Sequence, residues 1–278
     1  MSFRTYHDLT APDHSDLAGQ VAAQRARVAE RLATVRAVRP VVSGKGGVGK
    51  SFATASIAVA AARRGLSVGV VDADLRSPTV ARMLGAAGPL VVGEGGVVPA
   101  VGAGGVRVMS ADFLLGEGRP LAWRGREGEA FVRRGALDMG ALRTFLGDVA
   151  WGTLDLLLVD LPPGADGVHD IATLAPAVAP ALVVTIPSDE SRRSVARTMG
   201  ALVDEGRPPL GVIENMAGYA CRECDHVGPL FSGSAGAELA GSFGVPLLGR
   251  IPFDPSASPA DPGLAWTPVV DAVIGRPQ

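Results

Sequence analysis

Gly44-Lys45-Gly46-Gly47-Val48-Gly49-Lys50-Ser51 is the stretch that decides how this chain reads. It fits G-x-x-x-x-G-K-[ST], the pattern of a phosphate-binding loop. Backbone N–H groups of a glycine-rich turn, aided by the positive end of the helix that follows, cradle phosphate oxygens. On that pattern Gly44, Gly46, Gly47, Val48, Gly49 and Phe52 supply backbone to the cradle. Lys50 reaches the β- and γ-phosphates, and the Ser51 hydroxyl takes a position on Mg²⁺. Among 26 Lys and Arg residues, only Lys45 and Lys50 are lysine. An ammonium is a compact, rotatable point charge and a guanidinium a planar fork, so lysine kept only here points to work that arginine does poorly.

The flanks supply the setting that the pattern requires. Val38–Ser43 reads as a short strand, and Phe52–Ala62 as an alanine-rich helix that ends near Arg63-Arg64-Gly65. Strand, glycine turn, helix is the required order. Farther out, strands are expected at Ser67–Asp72, Val106–Met109, Leu154–Asp160, Ala181–Ile186, Leu210–Glu214 and Pro246–Ile251. Several are continuous apolar runs, as expected where both sheet faces are covered. Helices fit Thr79–Leu84, Asp138–Val149, Glu190–Glu205 and Ala235–Phe243. The alternation predicts an α/β fold: a doubly wound, mostly parallel sheet of the P-loop NTPase kind, with ligands at the strand C-terminal ends. Gly85–Gly105, rich in glycine and valine, reads as a small hairpin or excursion. Residues 116–137 read as an exposed loop or insertion. Residues 1–37 form a polar lead and an amphipathic packing helix, and residues 38–278 form the NTPase domain.

Composition narrows the classes. With 278 residues, 47% hydrophobic and 19% charged, the chain reads as a soluble globular protein. A net charge of −2 gives no general attraction to nucleic acid or acidic membrane, so neither is expected as a partner. No apolar run of membrane-spanning length occurs, and the first residues do not read as a signal peptide, so the expected location is the cytoplasm. The two cysteines, Cys221 and Cys224, are too few for a disulfide framework.

Acidic residues fall where a phosphate site needs them. Asp72 and Asp74 close the second strand, one directed toward the sheet and one into the loop. Asp74 is the candidate for orienting an attacking water, with Asp72 nearer Mg²⁺; alternatively Asp72 simply caps the turn before Pro78. The run Leu154–Val159 delivers Asp160 beside the loop, a Walker-B arrangement that holds Mg²⁺ directly or through water. Gly164, after Leu161-Pro162-Pro163, is placed to donate its N–H to a γ-phosphate. Asn215 follows another apolar strand, and its amide is suited to reading a purine edge. Cys221 and Cys224 form a C-x-x-C, half of a four-thiolate set. By chemistry alone an iron–sulfur site, a zinc bridge with His226 as a further ligand, and a redox dithiol stay open.

Taken together, these motifs resemble the Mrp-type (ApbC-like) P-loop iron–sulfur carriers, within the deviant Walker-A class that includes MinD and ParA. The resemblance runs from about Val38 to Pro262. It rests on Ser43–Ser51, Val71–Leu75 with Ser77-Pro78, Arg82–Gly85, Trp123–Gly125, Leu157–Gly164, Gly211–Met216, the C-x-x-C, and Leu248–Pro252. The spacing from Glu214-Asn215-Met216 to the cysteines is the most discriminating part, because MinD- and ParA-like proteins lack the pair. The resemblance implies a homodimer that binds ATP and Mg²⁺ and hydrolyses ATP slowly. It also implies a [4Fe–4S] cluster bridging two chains, handed on to apo-proteins in concert with an assembly scaffold. Lys45 is then the lysine that reaches the partner's nucleotide. The chain departs from the pattern at Phe52, where a second hydroxyl residue is usual, at Ala165-Asp166-Gly167, and at Arg222 and Asp225 in the cysteine turn. Two rival readings are a MinD/ParA-like positioning switch and a zinc-bridged regulatory ATPase.

Overall fold

The computed structural model describes residues 17–114, 130–175, 178–221, 224 and 226–275. The chain opens with α1 (Leu17–Leu32), then β1 (Val38–Ser43), the glycine loop, α2 (Lys50–Ala62), β2 (Val68–Asp72) and the short α3 (Val80–Met83). A small hairpin follows, β3 (Val91–Gly93) and β4 (Gly96–Val98), then β5 (Ala100–Val101) and β6 (Arg107–Ser110). The second half runs α4 (Ala130–Gly147), β7 (Leu156–Asp160), α5 (Asp166–Leu174), β8 (Leu182–Thr185), α6 (Asp189–Asp204) and β9 (Gly211–Ala220). It closes with β10 (Val227–Gly228), α7 (Ala235–Phe243), β11 (Leu247–Phe253) and α8 (Thr267–Ile274).

The main sheet has the order β10-β9-β8-β1-β7-β2-β6-β5, with β11 also on β9. Its inner pairs are parallel, and only β5 against β6 and β10 against β9 run antiparallel. β1 sits between β7 and β8 and is buried along its whole length. Successive strand residues point to opposite faces. Accordingly Val42, Val71, Val159 and Val183 share one core with residues of α1, α4, α5 and α6. Val41, Val70, Leu158 and Val184 share the other with α2 and α8. Apolar side chains on both faces of β1, β2, β7 and β8 make this a covered parallel sheet rather than a half-exposed one.

Helices α5 and α8 fall where no helix was expected, and two element boundaries differ from the expectation by more than a couple of residues. Helix α4 begins at Ala130, so the C-terminal part of the expected 116–137 loop is helical, and the rest of that segment lies outside the described residues. Strand β9 continues to Ala220, well past Glu214, because β10 and the end of β11 give it partners there. The glycine–valine segment forms the expected hairpin. The polar lead lies outside the described residues, and α1 contributes Val28 and Leu32 to the core. Among the described residues, no helix is long and apolar enough to cross a membrane.

Candidate nucleotide site and cysteine hairpin

The loop between β1 and α2 is held from several sides. Gly47 and Gly49 both have φ of 80°, a left-handed backbone that favours glycine. Gly49 is the N-cap of α2, and a Cβ there would overlap the Asn215 amide. A Cβ at Gly44 would run into the backbone of Ser194 and Val195 in α6. The Ser194 hydroxyl donates to the Gly44 carbonyl at 2.6 Å, and Ser43 Oγ donates to the Lys45 carbonyl at 3.0 Å. Val48 is buried, while Gly46 and Gly47 are exposed at the mouth.

Lys50 and Asp160 form the charged centre. Lys50 Nζ lies 2.8 Å from Asp160 Oδ2, with the lysine 6% and the aspartate 0% exposed. Beyond this ion pair the buried ammonium has no hydrogen-bond partner among the described residues, so part of its donor capacity is unspent. Ser51 Oγ donates to Asp160 Oδ2 at 2.6 Å, and Thr54 Oγ1 reaches Asp160 Oδ1 at 2.7 Å. An ammonium with unspent protons beside left-handed glycines fits a phosphate group. A hydroxyl and a carboxylate in direct contact fit a hard divalent cation.

Asp72 stands opposite Asp160 in the register of β2 on β7. Its Oδ2 accepts from Thr79 N at 2.9 Å, Val80 N at 3.1 Å and Ser110 Oγ at 3.0 Å, which ties β2 to the start of α3 and to β6. Its Oδ1 has no hydrogen-bond partner among the described residues. Asp72 therefore anchors the turn with one oxygen and leaves the other unpartnered among the described residues. Burial above all, then the neighbouring Asp160 charge, push its carboxyl up to about 7, while the Val80 N–H, Ser110 and Lys50 pull it back.

Other expected residues ring this centre. Asp74 is half-buried, in a turn closed by its own carbonyl and Ser77 N at 3.1 Å. The Gly164 N–H donates to the Ser43 carbonyl at 2.8 Å, so its use by a phosphate requires that bond to break. Lys45 is half-buried and makes no ion pair with a described residue. The Phe52 ring packs on Trp266, with centroids 6.3 Å apart, so only its backbone belongs to the cradle.

Strand β9 joins the loop to the cysteines. Asn215 is 5% exposed, and its Nδ2 donates to the Val48 carbonyl at 2.9 Å. One N–H of the amide is thus spent on the loop, leaving its second N–H and its oxygen for a ligand edge. Six residues on, Cys221 N donates to the His226 carbonyl at 2.9 Å, continuing the β9–β10 ladder into the tip of the hairpin. Cys221 is half-buried, and Cys224 and His226 are exposed.

Several site residues were not singled out from sequence. Thr54 was findable, four residues after Lys50 and so on the same face of α2. Ser110 and Ser194 become partners only through strand register and helix docking. Glu214, 0% exposed, accepts from Gly236 N and from Arg250 Nε, each at 2.8 Å. Nothing local in sequence marks that link.

The chain is similar to known proteins over most of its length. The sequence profile of the ParA family, described as NUBPL iron-transfer P-loop NTPase, matches residues 34–266. The "Iron-sulfur cluster carrier protein" of Saccharolobus solfataricus is 38% identical over 245 residues, 87% of this chain and 79% of that protein. The bovine (Bos taurus) "Cytosolic Fe-S cluster assembly factor NUBP2" is 39% identical over 233 residues, 81% of this chain and 82% of that protein. A nucleotide-binding protein from Archaeoglobus fulgidus, solved in complex with ADP, superposes with a TM-score of 0.69 at 33% identity, covering 83% of this chain and 87% of the other.

Proposed function

Since the chain belongs to the ParA family of NUBPL iron-transfer P-loop NTPases, we propose that it is an ATP-binding carrier that holds an iron–sulfur cluster between two copies of itself and passes it to apo-proteins. The observation that carries this reading is the shared strand. β9 buries Asn215 against the phosphate loop and ends at Ala220, immediately before Cys221, so one strand leads from the nucleotide site to the thiol pair.

The residues divide the work. Backbone N–H groups of Gly46 to Ser51 wrap phosphate oxygens, and Lys50 directs its unspent protons to them. Ser51 and Asp160 would hold Mg²⁺, which supplies charge neutralisation at the phosphates. Asp74 orients a water, and Asp72 keeps its strand end in place. Asn215 offers its remaining N–H and oxygen to the base. Lys45, half-buried at the loop mouth, serves the partner's nucleotide. Hydrolysis is slow in this reading, because the Gly164 N–H is engaged by Ser43 and must be freed.

Cys221 and Cys224 supply two thiolates, and a four-iron cluster takes four, so the cargo requires a second copy. Tyr219, Val227, Leu230 and Phe231, which flank the cysteines in sequence, are exposed and suit an apolar protein contact. The names of the archaeal and bovine relatives support iron–sulfur cargo, and the bovine one also supports a cytosolic setting and a part in cluster assembly. The test is transfer. Anaerobically loaded protein is mixed with the apo form of a [4Fe–4S] dehydratase and the recovered dehydratase activity is followed. Recovery that a chelator cannot intercept supports a carrier. Recovery no faster than with free iron and sulfide contradicts it.

A further inference from the structure

Strand β9 keeps its direction but its pairing with β11 is irregular midway. Up to Asn215 it lies in the sheet, paired with β8 through Glu214 and with β11 at Ile251↔Asn215. The next β11 pair is Phe253↔Tyr219, so two steps on β11 face four on β9 and residues 216–218 leave the ladder. Within that break Met216 has φ of 53°, the one non-glycine residue with positive φ among the described residues. A linear side chain is held in the left-handed region only where its surroundings dictate it.

Each side of the break is stiff. On the inner side the Asn215 amide is bonded to Val48, and Gly49 packs so closely on it that no Cβ fits between them. A displacement of Val48 and Gly49 therefore has to carry Asn215 with it. On the outer side, a Cβ at Gly218 would overlap Val227 and the Gly228 carbonyl, the Tyr219 and Phe253 rings stack at 6.5 Å, and Cys221 N holds His226. The described base of the cysteine hairpin is thus braced, and Met216 joins it to the inner half of β9.

We infer that Met216 is a positioning residue, the pivot through which the phosphate loop sets the aim of the cysteine hairpin, with Asn215 as the latch to the loop. This rests on the loop binding a nucleotide, as proposed above. When phosphate contacts reshape Val48 and Gly49, the inner half of β9 follows, and the left-handed joint turns that shift into a reorientation of both thiols. A two-state element biased from one end is what coupling between two sites requires.

The test uses reduced, metal-free protein, so it does not depend on cluster loading. Alkylation rates of Cys221 and Cys224 are read by mass spectrometry with and without saturating Mg²⁺ and a slowly hydrolysed ATP analogue, and binding is measured separately with a fluorescent nucleotide. The wild type should change its rate at one or both thiols by about fivefold or more. Met216→Gly, free to leave the left-handed region, should bind nucleotide as before but lose that response. Met216→Asn, which adopts the left-handed region readily, should keep it. Both variants remove the Met216 thioether, which packs against the core, so loss of that packing is common to the two. Nucleotide that binds without altering thiol rates in the wild type overturns the pivot alone. So does a full response in Met216→Gly or its loss in Met216→Asn. Absence of nucleotide binding overturns the proposed function and the pivot together.

Discussion

Asp72 and Asp160 stand side by side at the ends of adjacent parallel strands, both with 0% exposure. Lys50 bonds ionically to the second, and backbone and hydroxyl donors hold the first. Two carboxylates so close and so dry share too little compensating positive charge to be ionised without cost.

That cost has a direction. The Asp72 carboxyl ordinarily ionises at 3.8 and is raised to about 7 in the fold. Between these values the folded protein binds a proton that the unfolded chain does not, so stability falls as pH rises from about 4 to about 7 and is level above. Urea midpoints of nucleotide-free, metal-free protein should drop across that window. In Asp72→Asn, which has no proton to lose, the drop should shrink. An unchanged slope in Asp72→Asn would show that other groups set it.

Replacing Lys50 by Met should both abolish nucleotide binding and weaken the fold. Asp160 would stay buried with Ser51 and Thr54 but without its cation, a change of about 3 kcal/mol by analogy with broken buried pairs. Fluorescent-nucleotide titration and urea unfolding measure the two effects separately.

Gly47 and Gly49 share a left-handed backbone but not a neighbourhood. A Cβ at Gly47 meets nothing within 4 Å, whereas one at Gly49 overlaps Asn215. Alanine at either position carries the left-handed penalty of roughly 1–2 kcal/mol. Gly49→Ala should lose clearly more stability, and thermal unfolding without nucleotide should rank the two.

Glu214 ties β9 to the start of α7 and to β11. Glu214→Ala leaves the Gly236 N–H and Arg250 without their acceptor and opens a void, so a loss of about 3 kcal/mol is expected. Arg250 is 55% exposed, and Arg250→Ala, which leaves Gly236 N on the carboxylate, should cost less. Chemical denaturation of both variants checks the order.

Much of the architecture was legible because parallel strands covered on both faces announce themselves as apolar runs, as Leu156–Val159 does. The loop was legible because glycine spacing and the two lysines are local signals. What stayed hidden depends on register or on distant partners. Asp72 is read as an acid near a phosphate site, yet its hydrogen bonds go to Thr79, Val80 and Ser110, and only the pairing of β6 with β2 brings Ser110 there. The length of β9 was missed because Ala217, Gly218 and Ala220 carry no strand pattern of their own; β10 and β11 hold them. The start of α4 was missed because arginine and glutamate around it read as loop.

In the proposed function two chains share one four-iron cluster through Cys221 and Cys224. Its most direct test is anaerobic reconstitution with iron and sulfide, followed by iron per chain and mass in solution, with Cys221→Ser/Cys224→Ser alongside. A brown dimer with roughly two irons per chain, absent from the double variant, is the predicted result. A colourless monomer, or colour that survives loss of both thiols, would contradict it.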